Sequence, residues 1–177
     1  MSSVLYKIKR LFSKGGLYYS FYYMLRKTRI SNMFSDRMFT KIEYRANTGK
    51  SLNLKNPTLY NEKLQWLKLN DHQEIYTKLV DKFRVKEYVS QLLGEKYVIP
   101  TLAVYATPDD IDLEQLPNQF VLKCTHDSGS VAICKDKKTF KTDEAFAMLE
   151  KGLQKNYFWQ NREWPYKNVK PRIIAEA

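Results

Sequence analysis

Cysteine is nearly missing from these 177 residues: Cys124 and Cys134 are the whole supply. Two thiols without metal-ligand spacing exclude a disulfide-stapled scaffold and a cysteine-built zinc module. They read either as reduced core thiols or as a pair facing each other across a hairpin. Histidine is equally scarce, with His72 and His126 alone, and no cluster of His, Cys, Asp and Glu has the spacing of a metal centre. No apolar run approaches the ~20 residues that a membrane-spanning helix needs. No signal-peptide core with a cleavage site follows Met1, so a cytoplasmic location is expected. Repeats and low-complexity segments are also missing. What remains is an ordinary globular composition, 44% hydrophobic and 28% charged, long enough for one good core or two small ones.

Acidic residues are scarce in one region above all. Residues 1–50 hold eleven Lys or Arg against Asp36 and Glu43, a net +9 out of the +11 of the whole chain. Such asymmetry points to an anionic surface as partner. Val4, Leu5, Ile8, Leu11 and Phe12 recur at helical spacing between Lys7, Lys9, Arg10 and Lys14. After Gly15-Gly16 the pattern repeats with Leu17, Tyr18, Phe21, Tyr22 and Leu25. Basic amphipathic helices rich in tyrosine can lie on anionic bilayers. A helical hairpin packed on the rest of the chain would look the same. Nucleic acid is the disfavoured partner.

Further along, Asn56-Pro57-Thr58 reads as a helix start with Thr58 as N-cap, followed by an apolar face of Leu59, Tyr60, Leu64, Trp66 and Leu67. A second helix is expected from about Glu74 to Leu93, with Ile75, Leu79, Val80, Phe83, Val89 and Leu92 inward and Gly94 closing it. From Tyr97 the pattern turns to short strands and helices. Tyr97–Pro100, Leu102–Tyr105, Gln119–Cys124, Val131–Lys135 and Pro171–Glu176 read as strands. A brief acidic helix follows Pro108, and Thr142 caps a longer one to about Lys155. The fold class is α+β: a helical front followed by an α+β unit.

The chemistry concentrates between Phe120 and Cys134. Lys123 sits within an apolar strand, where an ammonium is costly unless something anionic meets it. The turn after it, with Ser128, Gly129 and Ser130, offers backbone N–H groups and hydroxyls as phosphate-holding loops do. Together they suggest a nucleotide phosphate site. Other candidates are weaker. Asn47-Thr48-Gly49-Lys50-Ser51 resembles the tail of a P-loop, but Tyr44 stands where the opening glycine belongs and the preceding segment reads as helix. His126 beside Cys124 invites a Cys–His nucleophile, yet no third orienting group is evident, and a polar loop role is the simpler reading. Arg162 and Lys167, beside the aromatic loop Tyr157–Tyr166, could meet an anionic sugar; packing is the commoner role of such a loop.

Several motifs in order resemble one family. Tyr60-Asn61-Glu62-Lys63-Leu64-Gln65-Trp66, Lys78-Leu79-Val80-Asp81-Lys82, Leu116 through Gly129, and Arg162-Glu163-Trp164-Pro165-Tyr166 on to Glu176 are similar to the TupA-like ATP-grasp proteins, over about residues 50–177. Members of that family are associated with teichuronopeptide, capsule and other bacterial surface-polysaccharide synthesis, and are often labelled glycosyltransferases. The resemblance implies ATP and Mg²⁺ as cofactors and a ligase logic, in which a carboxylate is phosphorylated and an amine then attacks it. It further implies that Lys82 and Lys123 address the phosphates, that Ser128–Ser130 form the loop covering them, and that Ile133 is an apolar wall for adenine. Glu176 would stand at the interdomain hinge, with the backbone of Ala177 meeting the base. The expected division is a basic aromatic helical segment at 1–50, a helical region at 51–95 and a partial ATP-grasp domain at 96–177.

The family pattern usually has a second glycine where this chain has Ser130, and the sequence stops at the hinge. Its metal-binding half would lie beyond, so an N-terminal fragment, catalytically inactive alone and without metal ligands, is expected. The alternatives are a glycosyltransferase of the same pathway, for which Asp109-Asp110-Ile111-Asp112 is a poor metal motif, and a non-enzymatic module on a membrane surface. Surface polysaccharide or its precursor is the expected partner besides the nucleotide. Peripheral attachment at the inner face of the membrane is the variant of the cytoplasmic location that residues 1–50 suggest.

Overall fold

A computed structural model describes residues 16–28 and 30–177. The amphipathic pattern expected over Val4–Phe12 lies outside the described residues. The chain mixes helices with one four-stranded antiparallel sheet, an α+β fold. It divides into two compact units. One holds the described residues up to His72 together with Phe158–Trp164; the other holds Gln73–Tyr157 and Pro165–Ala177.

The first unit is helical. Helix α1 spans Gly16–Thr28, a 3-10 turn Ile30–Met33, α2 Asp36–Thr48 and α3 Tyr60–Asn70. Ser35 caps α2 by accepting from the Met38 N–H, and Gly49 ends it at φ 72°, in the left-handed region that glycine enters freely. Tyr22, Phe39 and Ala46 form one small core and Tyr44, Leu52 and Leu54 another. Thr58 lies too early to cap α3. Glu62 does that work instead, its buried carboxylate accepting from the N–H groups of Thr58 and Leu59 at 3.1 Å. Those bonds, Leu59 first, hold its carboxyl below the usual range against the opposing pull of burial. The apolar face expected inward, Leu59, Tyr60, Leu64, Trp66 and Leu67, is exposed instead. What α3 turns inward is Glu62, with Leu69 partly buried against the Tyr44 cluster.

Arg162 takes the commoner of the two roles open to it, packing. Its side chain is fully buried. Nε stands 3.0 Å from Asp36 Oδ1, and Nη2 donates to the Ser31 carbonyl at 2.5 Å. The guanidinium lies 4.6 Å from the Phe39 ring centre and 4.5 Å from that of Trp159 in the short helix α7, Phe158–Asn161. Such a planar, weakly hydrated cation suits a core better than lysine does.

The second unit carries the sheet. Helices α4 (Glu74–Val80) and α5 (Arg84–Leu93) precede β1 (Thr101–Tyr105), β2 (Phe120–Cys124), β3 (Val131–Cys134), α6 (Thr142–Leu153) and β4 (Ile173–Glu176). The single helix expected from Glu74 to Leu93 is broken at Asp81–Phe83. Asp81 Oδ1 accepts from the N–H groups of Phe83 and Arg84, so its carboxylate starts a new helix rather than continuing the old one. The break splits the expected apolar stripe. Ile75, Leu79 and Leu92 are exposed and Val80, Phe83 and Val89 only half-buried, while Gly94 closes α5 as expected. Residues Glu95–Tyr97 form a 3-10 turn in place of the first expected strand, and Pro108 opens another in place of the acidic helix.

Strand order is β1-β4-β2-β3, with every pair antiparallel. Alternation along the strands gives the sheet two different faces. Phe120, Leu122, Cys124, Ala132, Cys134, Ile173 and Ala175 pack with Ala145 and Leu149 of α6 in the main core. Cys134 stands opposite Phe120 in the register, not opposite Cys124, so the two thiols are separate core groups. The other face carries Val104, Val121, Lys123, Val131, Ile133, Ile174 and Glu176.

Candidate nucleotide site on the open sheet face

The β2–β3 pairing builds the site from two adjacent rows. Val131, Lys123 and Ile174 form one, and Ile133, Val121 and Glu176 the next. An apolar strip therefore lies beside an ammonium, and Ile133 at its edge is 63% exposed. The anion that meets Lys123 is internal. Glu176 Oε2 stands 2.5 Å from the Lys123 ammonium, and Oε1 stands 2.5 Å from that of Lys86. Lys86 also donates to the Ile99 carbonyl at 2.8 Å and to Thr101 Oγ1 at 2.9 Å, tying α5 to the start of β1. Burial alone would raise the Glu176 carboxyl. Hydrogen bonds and charge from Lys123 and Lys86 outweigh it, and the group is held below the usual carboxylate range.

Lys82 reaches the same region through the helix break. Its N–H donates to the Thr125 carbonyl at 3.0 Å, and its ammonium donates to the carbonyl of Asp127. Burial pushes this lysine below its ordinary value; the charge of Asp127 pulls it back up, and that of Lys123 pushes it further down. Asp81 Oδ2 accepts from Arg172 at 2.8 Å, while the Arg172 carbonyl accepts the Thr125 N–H at 2.9 Å. The break between α4 and α5 is thus tied to the β2–β3 turn and to the approach to β4. That is why Lys82 and Lys123, forty-one positions apart, feel each other.

In the turn, Ser128 and Gly129 are exposed and Gly129 adopts φ 119°, a conformation open to glycine but strained for other residues. Ser130 faces the other way. Its hydroxyl donates to Asp127 Oδ2, and its carbonyl accepts the Cys124 N–H. Asp127 Oδ1 is buried and has no hydrogen-bond partner. Gly152 lets α6 approach this turn: a Cβ there would stand 2.9 Å from Cys124 Sγ and closer still to Ser130 Oγ. His126 is a tether, its Nε2 3.1 Å from the Gly152 carbonyl and 3.0 Å from that of Lys155. Cys124 is no nucleophile: burial first, then the charge of Asp127, push its thiol up to about 12. At β4 the Ala177 N–H donates to the Pro100 carbonyl at 3.2 Å.

Sequence reasoning named Lys82, Lys123, Ile133 and Glu176, and the fold brings Lys123 to Glu176, places Lys82 at the adjoining turn and sets Ile133 beside the pair. It passed over Lys86, read as one more polar-face position. No local signal marked it, because the break at Asp81–Phe83 takes Lys82 off the helix that carries Lys86. Asp109-Asp110-Ile111-Asp112 resolves into turn caps. Asp110 accepts from Thr107, and Asp112 accepts from Glu114 and Gln115.

Three ammonium groups and an exposed apolar strip, with one carboxylate shared between two of the lysines, suit a molecule with a flat apolar part and a polyanionic tail. Among the described residues no group of three or more His, Cys, Asp or Glu side chains could hold a metal ion. A family model described as TupA-like ATPgrasp matches residues 62–177. No curated protein and no solved structure matches the chain. The family match covers both lysine-bearing helices and the whole sheet, and on it the chain belongs to the TupA-like ATP-grasp family.

Proposed function

We propose that the open sheet face binds ATP, and that the chain carries the nucleotide-binding part of an ATP-dependent carboxylate–amine ligase of bacterial surface-polysaccharide synthesis. The observation that carries this reading is the lysine cluster beside the apolar strip. Lys86 and Lys123 share one carboxylate, Glu176, and Lys82 stands close enough to Lys123 to feel its charge despite Asp127 and Asp81 nearby. Ammonium groups that crowd one another and share a carboxylate are relieved when a polyanion brings further acceptors. When bound, the nucleotide would supply the phosphoryl group that activates a carboxylate for attack by an amine.

The chain's own residues do the following. Lys123 exchanges its Glu176 partner for a phosphate oxygen, at small electrostatic cost because Lys86 keeps Glu176 paired. Lys82 presents a second ammonium from the helix break. Gly129 leaves the turn without a side chain, so that Ser128 and Gly129 can approach the phosphates closely. Ile133 and Val121 offer the apolar wall on which the base rests. No group of acidic side chains among the described residues is gathered closely enough to fit Mg²⁺. Family association supports the polysaccharide setting, and Asp110 and Asp112 serve as turn caps, which agrees with the poor match of that run to a metal motif.

Calorimetric titration of the 177-residue chain with ATP, adenosine and a nucleotide-sugar tests the reading. ATP should bind, and adenosine should bind more weakly by the contribution of the phosphates. A preference for the nucleotide-sugar, or equal affinity for adenosine and ATP, would overturn it.

A further inference from the structure

Helix α1 turns one side to its own core, where Tyr22 and Leu25 are buried. A surface helix normally presents charge on its remaining sides. Here the flank opposite Arg26 carries Phe21 and Met24, both exposed, and the turn that follows adds Ile30 and Met33, the latter 87% exposed. Arg26, on the other flank, donates to Gln160 of α7 at 3.4 Å. On α2, Met38, Lys41 and Arg45 recur at i, i+3 and i+7 and form one exposed stripe. Arg45 lies over the Tyr18 ring of α1 at 4.1 Å, which joins the stripe to α1. The first unit therefore shows exposed aliphatic and aromatic side chains interleaved with cations, in the part of the sequence that carries a net +9. Exposed apolar clusters of this kind mark interaction surfaces.

We infer that this surface of the first unit docks on an anionic lipid bilayer. Charge complementarity selects the occupant: a membrane leaflet rich in acidic lipids offers negative charge at its surface and hydrocarbon just beneath it. Phe21, Met24, Ile30 and Met33 enter the headgroup–acyl boundary, while Lys41 and Arg45 stay at phosphate level. A nucleic acid would match the cations but has no place for Met24, Ile30 and Met33, which offer a phosphate backbone nothing. None of the described helices is long and apolar enough to cross a membrane, so the attachment is at the surface.

Co-sedimentation of the full chain with vesicles of 30% phosphatidylglycerol in phosphatidylcholine, and with phosphatidylcholine alone, tests this. The chain should bind the anionic vesicles, release them as salt is raised, and ignore the neutral ones. The triple substitution Phe21→Ser, Met24→Ser, Met33→Ser removes exposed groups only and should weaken binding tenfold or more with the circular dichroism spectrum unchanged. Lys41→Glu should weaken it by at least about fivefold. Failure to bind anionic vesicles overturns the inference. So does binding that the triple substitution leaves intact, and so does tighter binding to RNA than to the vesicles at equal salt. Self-association abolished by the same substitutions, without vesicle binding, would assign the surface to a second copy of the chain and overturn it as well.

Discussion

Each unit removes positive charge from water, and they do so in opposite ways. In the first unit Arg162 is wholly buried and provided for: Asp36 meets Nε, the carbonyl of Ser31 accepts from Nη2, that of Trp159 accepts from Nη1, and aromatic rings flank the plane. In the second, Lys86 and Lys123 share the Glu176 carboxylate and Lys82 donates to the neutral carbonyl of Asp127, beside exposed apolar side chains. A buried cation boxed in by a carboxylate, carbonyls and rings is architecture. Cations that share one carboxylate or rest on a neutral carbonyl, beside exposed apolar surface, make a place for a ligand. The difference teaches that burial alone does not mark a functional charge; the balance around it does.

The largest effect expected from disturbing this contrast is on stability. Arg162→Met leaves the buried Ser31 carbonyl without its donor, while Asp36, whose side chain is 45% exposed, turns to water. The cost should be about 2–3 kcal/mol, chiefly the unmet carbonyl and the lost packing. Thermal unfolding followed by circular dichroism should show the first unit melting earlier by roughly ten degrees. Nucleotide affinity per folded molecule should not change. Next comes Lys123→Met, which should weaken ATP binding by roughly ten- to a hundredfold, the loss of one charge-assisted contact of about 1.5–3 kcal/mol. Its melting temperature should stay close to the parent's, because Lys86 still pairs Glu176. The two substitutions thus have opposite signatures, and a Lys123→Met chain that melts like Arg162→Met would erase the distinction.

Lys86→Met is expected to do some of both. It releases the Ile99 carbonyl and Thr101 hydroxyl and leaves Glu176 to bind Lys123 alone, so stability should fall by about 1–2 kcal/mol and ATP affinity several-fold. Lys86→Arg should recover most of the stability. The acid response is smaller. Because the folded Glu176 carboxyl lies below its unfolded value, its contribution is present at neutral pH and is lost as pH falls beneath about 4. Melting temperature measured from pH 7 down to 3 should therefore drop less steeply for Glu176→Gln than for the parent. Least visible is Cys124, whose raised thiol should resist iodoacetamide at pH 8 in the folded chain, as mass spectrometry can check.

How much of this was legible beforehand follows the range of the interactions. Lys123 and its turn were readable because a lone ammonium between Val121, Leu122 and Cys124 is a local anomaly. The α+β class was readable from the change of period near Tyr97. The helix break at Asp81–Phe83 was not, since it depends on Thr125 and Arg172, far along the chain, holding Lys82 and Asp81. Without the break, Ile75 and Leu92 look like one inward stripe. The packing role of Arg162 was the commoner reading, but what it packs on was hidden for the same reason: its partners Ser31 and Asp36 are more than 120 residues away. Lys86 was hidden because an i+4 lysine on a polar face is what any solvated helix displays. Glu62, given no role of its own beforehand, proves to be the cap of α3.

The most direct test of the open-face site is calorimetric ATP titration of the parent and of Lys82→Met/Lys123→Met at one fixed ionic strength. The parent should bind saturably, and the double variant, folded and melting within a few degrees of it, should have lost at least a hundredfold in affinity. Equal affinities in the two proteins, or a folded parent that binds no ATP, would contradict the assignment of the lysine-rich face as the nucleotide site.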